Sequence, residues 1–160
     1  MTEERIDNSV FEALPELELM ALCIWAEARN QGLEGMQAVG SVILNRASRP
    51  GWWGRDIRSV ILKPKQFSCL NPDDPQRERM KAIAADFYTS LARDPRLREC
   101  FWIARGLQST AQDHDPLGGK AFLSSNVDGA TYYHTHDVKP AWDTGMKLIT
   151  VIRDHIFYAG

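Results

Sequence analysis

The stretch Leu17–Arg46, LELMALCIWAEARNQGLEGMQAVGSVILNR, restricts what this chain can fold into more than any other. Wound as a helix at about 100° per residue, its first part, Leu17–Arg29, shows apolar side chains on nearly every face: Leu19, Met20, Leu22, Cys23, Ile24, Trp25 and Ala26. A helix that is apolar almost all round is buried. Its one anomaly is Glu27, which falls on the stripe of Met20, Cys23 and Ile24, one turn beyond them. Burial against an apolar wall disfavours the ionised carboxylate and raises its pKa, as a general acid working near neutral pH requires. The structural alternative is that Glu27 pairs with Arg29 or Arg46, or caps the next helix, because ion-pair networks also perturb titration.

Gly32 reads as the stop of the first helix, and Met36, Val39, Val42 and Ile43 give the second a three-and-four spacing. Ala38, Gly40 and Ser41 are small enough to let the two helices approach closely. The first 14 residues read as a polar lead-in, and residues 15–160 as one domain. Pro15 suits the first turn of the first helix. Residues 48–56 (SRPGWWGRD) are loop by composition, and they carry Trp52 and Trp53. Aromatic rings on a loop either line a glycan groove through their apolar faces or plug a hydrophobic surface. Ile57–Lys63 is a short amphipathic segment ended by Pro64. Gln76–Ala92 predicts one helix with Met80, Ile83, Ala84, Phe87, Tyr88 and Leu91 inward, and roughly Leu97–Ser109 another that buries Phe101, Trp102, Ala104 or the stem of Arg105, and Leu107. Residues 121–127 read as a short strand or an insertion. Thr131–Thr135 has strand propensity, and Ile149–Tyr158 suits a final strand pairing with it.

Ordered blocks of this sequence resemble the signature of the SleB/CwlJ cell wall hydrolase family. Ala26-Glu27-Ala28-Arg29, Gly32-Leu33-Glu34-Gly35, Val39 and Val42-Ile43-Leu44-Asn45-Arg46 form the first. Val60-Ile61 with Gln66-Phe67-Ser68-Cys69 looks like the second, and Gly129-Ala130-Thr131-Tyr132-Tyr133-His134-Thr135 with Val138-Lys139-Pro140-Ala141-Trp142 like the third. The resemblance implies a lysozyme-like single domain, α+β and mainly helical with a small antiparallel sheet, that cleaves peptidoglycan. It makes Glu27 the catalytic acid and places Asn45 near the site floor, where an Asn that merely caps a turn is the equal alternative. Gln66, Tyr132, Tyr133, His134, Trp52, Trp53 and Trp142 are the candidate substrate contacts; Phe67 reads as core. One departure stands out: the Asp-Pro that usually precedes the Gly-Ala block lies upstream, at Asp115-Pro116.

Composition narrows the classes. With 160 residues the chain can bury about two thirds of its unfolded surface as one domain. A formal charge of −2 argues against nucleic acid as partner, since such domains carry a basic stripe. No apolar run is long enough for stable membrane insertion, and the N-terminus has neither basic start nor apolar core. Three unclustered cysteines, Cys23, Cys69 and Cys100, read as free buried thiols of a chain made in a reducing compartment. These features fit a monomeric phage or prophage endolysin, made in the cytoplasm and released to the wall through a separate holin-type pore. Its partner would be the glycan strand.

Glycoside hydrolysis usually takes two carboxylates. Glu34, the obvious second one, is separated from Glu27 by Gly32 and fits a first helical turn, where the macrodipole favours it. Lytic transglycosylases need only one Glu, which protonates the glycosidic oxygen and then deprotonates the muramyl 6-hydroxyl; the lack of an evident partner favours that reaction over a muramidase's hydrolysis. No metal or other cofactor is assigned: His134-x-His136-Asp137 with His114 and His155 supplies ligand types for a zinc amidase or peptidase, but no fixed third ligand. A Cys69 nucleophile beside His134 lacks the helix N-terminal context that activates a thiol. A non-catalytic murein-binding module built on the Trp and Tyr residues is the rival from outside enzymology.

Overall fold

The computed structural model describes residues 6–49, 51–64, 66–113, 130–135 and 146–159. Among them are seven α-helices followed by a three-stranded antiparallel sheet, so the chain is α+β and mainly helical. No helix among the described residues is long and apolar enough to cross a membrane.

The apolar cylinder is the centre of the molecule. Helix α2 (Glu16–Ala28) begins after Pro15, and Leu19 to Ile24 have no exposed surface. Helix α3 (Gly32–Ala47) crosses it, Gly32 taking the positive φ of 73° that the turn between them needs. A Cβ on Gly40 would lie 2.5 Å from Leu107 and 3.2 Å from Ile24, so the missing side chain is what lets α3 approach its neighbours. The polar lead-in contains an anchor: α1 (Ser9–Glu12) buries Phe11 completely in the same core. A single large aromatic among polar neighbours leaves no periodicity in the sequence.

Helix α4 (Ile57–Leu62) starts at a capping box made by Asp56 and Ser59. The segment expected to be one helix is two, α5 (Pro75–Ala85) and α6 (Phe87–Arg93), broken at Asp86 with φ −145° and ψ 64°. The break turns Phe87 into the core beside Phe101 and leaves Tyr88 outside, where its hydroxyl donates to Glu18 at 2.7 Å. Helix α7 (Pro95–Asp113) is longer than its apolar pattern and buries Leu97, Cys100, Ile103, Ala104 and Leu107. Trp102, expected inside, is exposed, because it lies off that three-and-four row.

Strand β1 (Tyr132–Thr135) pairs with β3 (His155–Ala159), Tyr132 opposite Tyr158, and β2 (Lys147–Ile152) pairs with the other side of β3. The single final strand expected from the sequence is thus a hairpin turning at Arg153 and Asp154. Gln31, buried at the α2–α3 turn, fixes that tip: its amide donates to the Asp154 carboxylate at 2.9 Å and accepts from the Asp154 backbone N–H at 3.0 Å. A second small core of Ala38, Val42, Ala130, Ile152 and Phe157 joins α3 to the sheet. Tyr133 packs against both cores.

Candidate active site

Glu27 stands on the last turn of α2, half-buried, at the end of the stripe formed by the fully buried Met20, Cys23 and Ile24. Three other elements converge on it. The Tyr133 hydroxyl, from β1, and the Cys69 thiol, from the short 3-10 turn Ser68–Leu70, face its carboxylate as hydrogen-bond donors. Arg46, on the last turn of α3, and Asp74, at the start of α5, act on it through their charges. Burial dominates and lifts the Glu27 carboxyl from 4.5 to about 7; the Tyr133 bond opposes it, Asp74 adds to it, and Arg46 and Cys69 oppose it again. Such a carboxyl holds its proton and releases it within the same neutral pH range. Its remaining exposure leaves it open to a ligand.

The ion-pair alternative does not describe this residue. Arg29 donates to the Trp25 and Ala26 carbonyls at 3.3 and 3.4 Å and lies over the Trp25 ring. Ion pairs among the described residues are Lys81–Glu78 and Arg96–Glu99, both away from Glu27. Glu34 is exposed in the first turn of α3, as the macrodipole reading expects. The carboxylate that does influence Glu27 is Asp74, which sequence spacing gives no reason to select. Its side chain caps α5 by accepting from the Gln76 N–H at 2.8 Å.

The last turn of α3 fastens the sheet to the helices. Asn45 donates to the Ala130 carbonyl and Arg46 to the Thr131 carbonyl, each at 2.8 Å. Asn45 therefore holds backbone at the start of β1. Strand alternation separates the three candidates that follow. Tyr133 shares a face with Phe157 and His155, toward α3, while Tyr132 and His134 point to the opposite face with Tyr158. His134 stacks on Tyr158, with its Nε2 2.9 Å from the Tyr158 hydroxyl.

Tyr132 instead joins the aromatic loop. Gly51 and Gly54 exchange backbone hydrogen bonds of 3.1 and 3.2 Å at φ 145° and 134°, which holds Trp52 and Trp53 at the tip of a tight turn. Trp53 is half-buried against the main core and meets Tyr132 edge-on at 5.7 Å, so it is the plug. Trp52 is 62% exposed, packs edge-on against Trp53 and carries the Lys63 ammonium 3.6 Å from its ring centre. Gln66 is half-buried before the 3-10 turn, but the member of its segment that reaches Glu27 is Cys69. Phe67 is core. Trp142 lies outside the described residues, as do residues 121–127 and the Asp115-Pro116 pair.

A model of the cell wall hydrolase family matches residues 30–158. The chain belongs to that family. As a cell wall hydrolase it is an enzyme of peptidoglycan degradation. The matched stretch contains α3, the Gln66–Cys69 segment and the sheet, and begins just after Glu27, whose part in the site therefore rests on the geometry around it. Comparison with curated proteins and with solved structures gives no match.

Two rival chemistries can be placed against this site. Cys69, Cys23 and Cys100 are free and buried. The Cys69 thiol is held in its protonated form by the neighbouring Cys23, by burial and by the Glu27 charge, the opposite of an activated nucleophile. Among the described residues no three His, Cys, Asp or Glu side chains group as metal ligands; His114, His136 and Asp137 lie outside them.

Proposed function

We propose that this cell wall hydrolase cleaves the MurNAc–GlcNAc glycosidic bond as a lytic transglycosylase, with Glu27 as its single acid and base. The observation that carries the reading is the Glu27 carboxyl itself: largely buried yet still open to a ligand, held at about 7, and faced by two neutral donors with no ion pair to it among the described residues. Its proton passes to the glycosidic oxygen as the bond to muramyl C1 breaks. The carboxylate left behind then takes the proton of the muramyl 6-hydroxyl, whose oxygen closes on C1. Glu27 ends protonated and no water is consumed. The Tyr133 and Cys69 donors favour the carboxylate between the two transfers, when it carries the charge. The place of action is the murein sacculus, reached through a holin-type pore if the chain serves a phage as an endolysin.

Product identity tests the reaction. Digestion of purified sacculi should release muropeptides ending in 1,6-anhydro-muramic acid, each lighter by one water than the hydrolytic product. Dominant reducing-end muramic acid, read by mass spectrometry, would replace this reading with hydrolysis by a muramidase. Asp74, the carboxylate whose charge reaches Glu27, would then be the second group.

Trp52, Trp53 and Tyr132 form an aromatic ladder on the face of β1 opposite Tyr133, and we assign it to the glycan strand beyond the cleaved bond. Since Trp52 is the exposed member, Trp52→Ala should weaken binding to sacculi by roughly fivefold, about 1 kcal/mol, at an unchanged melting temperature. Trp53→Ala should instead lower the melting temperature. Unaltered binding by folded Trp52→Ala protein would remove the ladder from the substrate path.

A further inference from the structure

We propose that Arg46 is the positioning residue of this site, a single buried guanidinium that registers against Glu27 both segments carrying its hydrogen-bond donors. Its Nε donates to the Thr131 carbonyl at 2.8 Å, two residues before Tyr133. Its guanidinium carbon sits 5.3 Å from the centre of the Phe67 ring, two residues before Cys69. One side chain thus anchors, from α3, the strand that brings the phenol and the turn that brings the thiol. Arg46 is only 5% exposed, and its buried Nη1 has no hydrogen-bond partner among the described residues. A desolvated donor of that kind is costly to the folded state. The Thr131 bond alone offers little in return for that cost, because a neutral amide could make it. A charge beside Glu27 offers more: it favours the carboxylate that forms once the proton has been given away. This assignment rests on the reading of Glu27 as the reacting group.

The groups that face Glu27 define the test. They are Arg46 from α3, Cys69 from the 3-10 turn, Asp74 from the start of α5 and Tyr133 from β1, with Cys23 of α2 behind Cys69. Removing Arg46 leaves burial and Asp74 opposed only by the two neutral donors. In Arg46→Gln protein the Glu27 carboxyl, followed by carbon NMR and assigned by its loss in Glu27→Gln, should titrate at higher pH than in the parent. The lytic rate at saturating sacculi should fall roughly 10- to 100-fold with little change in the half-saturating concentration. An unmoved Glu27 midpoint in folded Arg46→Gln protein overturns the assignment. If that variant does not fold, Arg46→Lys carries the test. Its ammonium keeps the charge but not the planar fork shared between Thr131 and Phe67, so the saturated rate should still drop severalfold. A parental rate in Arg46→Lys overturns the assignment too. Because the titration needs no turnover, it stays informative even if Glu27→Gln protein still cuts murein and the Glu27 reading itself fails.

Discussion

Glu27→Gln protein should lyse purified sacculi about 10²- to 10⁴-fold more slowly than its parent, the range that general acid–base catalysis supplies. The amide has nearly the same shape, and its oxygen can still accept from Tyr133 and Cys69. What it cannot do is lose a proton to the glycosidic oxygen and recover one from the muramyl hydroxyl at neutral pH. The half-saturating concentration of sacculi should change little, since the contacts assigned to binding lie on the aromatic ladder. The measurement is the clearing rate of sacculi per folded molecule across a range of concentrations. Near-parental clearing by Glu27→Gln would take this residue out of the chemistry and direct attention to Asp74.

Glu27 could be singled out without a structure because it breaks a pattern that burial otherwise enforces. Every neighbour on its stripe is apolar, so one carboxylate there has to answer for its desolvation. The two long-range features that accompany it were not legible in the same way. Asp74 caps a helix, and a cap looks alike in sequence whether or not a second carboxylate lies nearby. In sequence Cys69 suggests a nucleophile, whereas its contribution is as a donor, which depends on a contact with Tyr133's own target that no local spacing encodes.

Local rules fared best where one face of an element does one job. The apolar cylinder of α2 and the strand at Tyr132–Thr135 both follow from propensity and period. They failed where tertiary contacts decide between local options. Asp86 divides a helix that the apolar spacing would continue, because the core accepts Phe87 only after the turn has been re-aimed. The Arg153–Asp154 turn carries no glycine, and Arg153 adopts a φ of 49° there; the turn is fixed by Gln31, far away in sequence. The Tyr-Tyr-His run reads as one cluster of substrate contacts, but strand alternation sends Tyr133 to Glu27 and its two neighbours to the other face.

The pH dependence of stability should separate the parent from Glu27→Gln as clearly as activity does. An unfolded glutamate titrates near 4.5, while the folded Glu27 carboxyl titrates at about 7, so the folded chain binds this proton more tightly. Stability from this group is therefore complete below pH 4.5 and is lost as pH rises through 7. The interval corresponds to roughly 3 kcal/mol, reduced to about 2–3 kcal/mol by the residue's partial exposure. Glutamine has no such titration. The two proteins should thus unfold at similar temperatures near pH 4, and the variant should pull ahead between pH 4.5 and 7. By pH 8 it should lead by roughly 5–10 °C, given the few degrees per kcal/mol expected of a domain this size. Other carboxylates titrate in both proteins and cancel in the difference. A structural ion pair between Glu27 and Arg46 predicts the opposite sign, because removing one partner leaves the other buried and uncompensated, at about 3–5 kcal/mol. A variant less stable than its parent at pH 8 would therefore mean that Glu27 is held as a charge rather than as a proton donor.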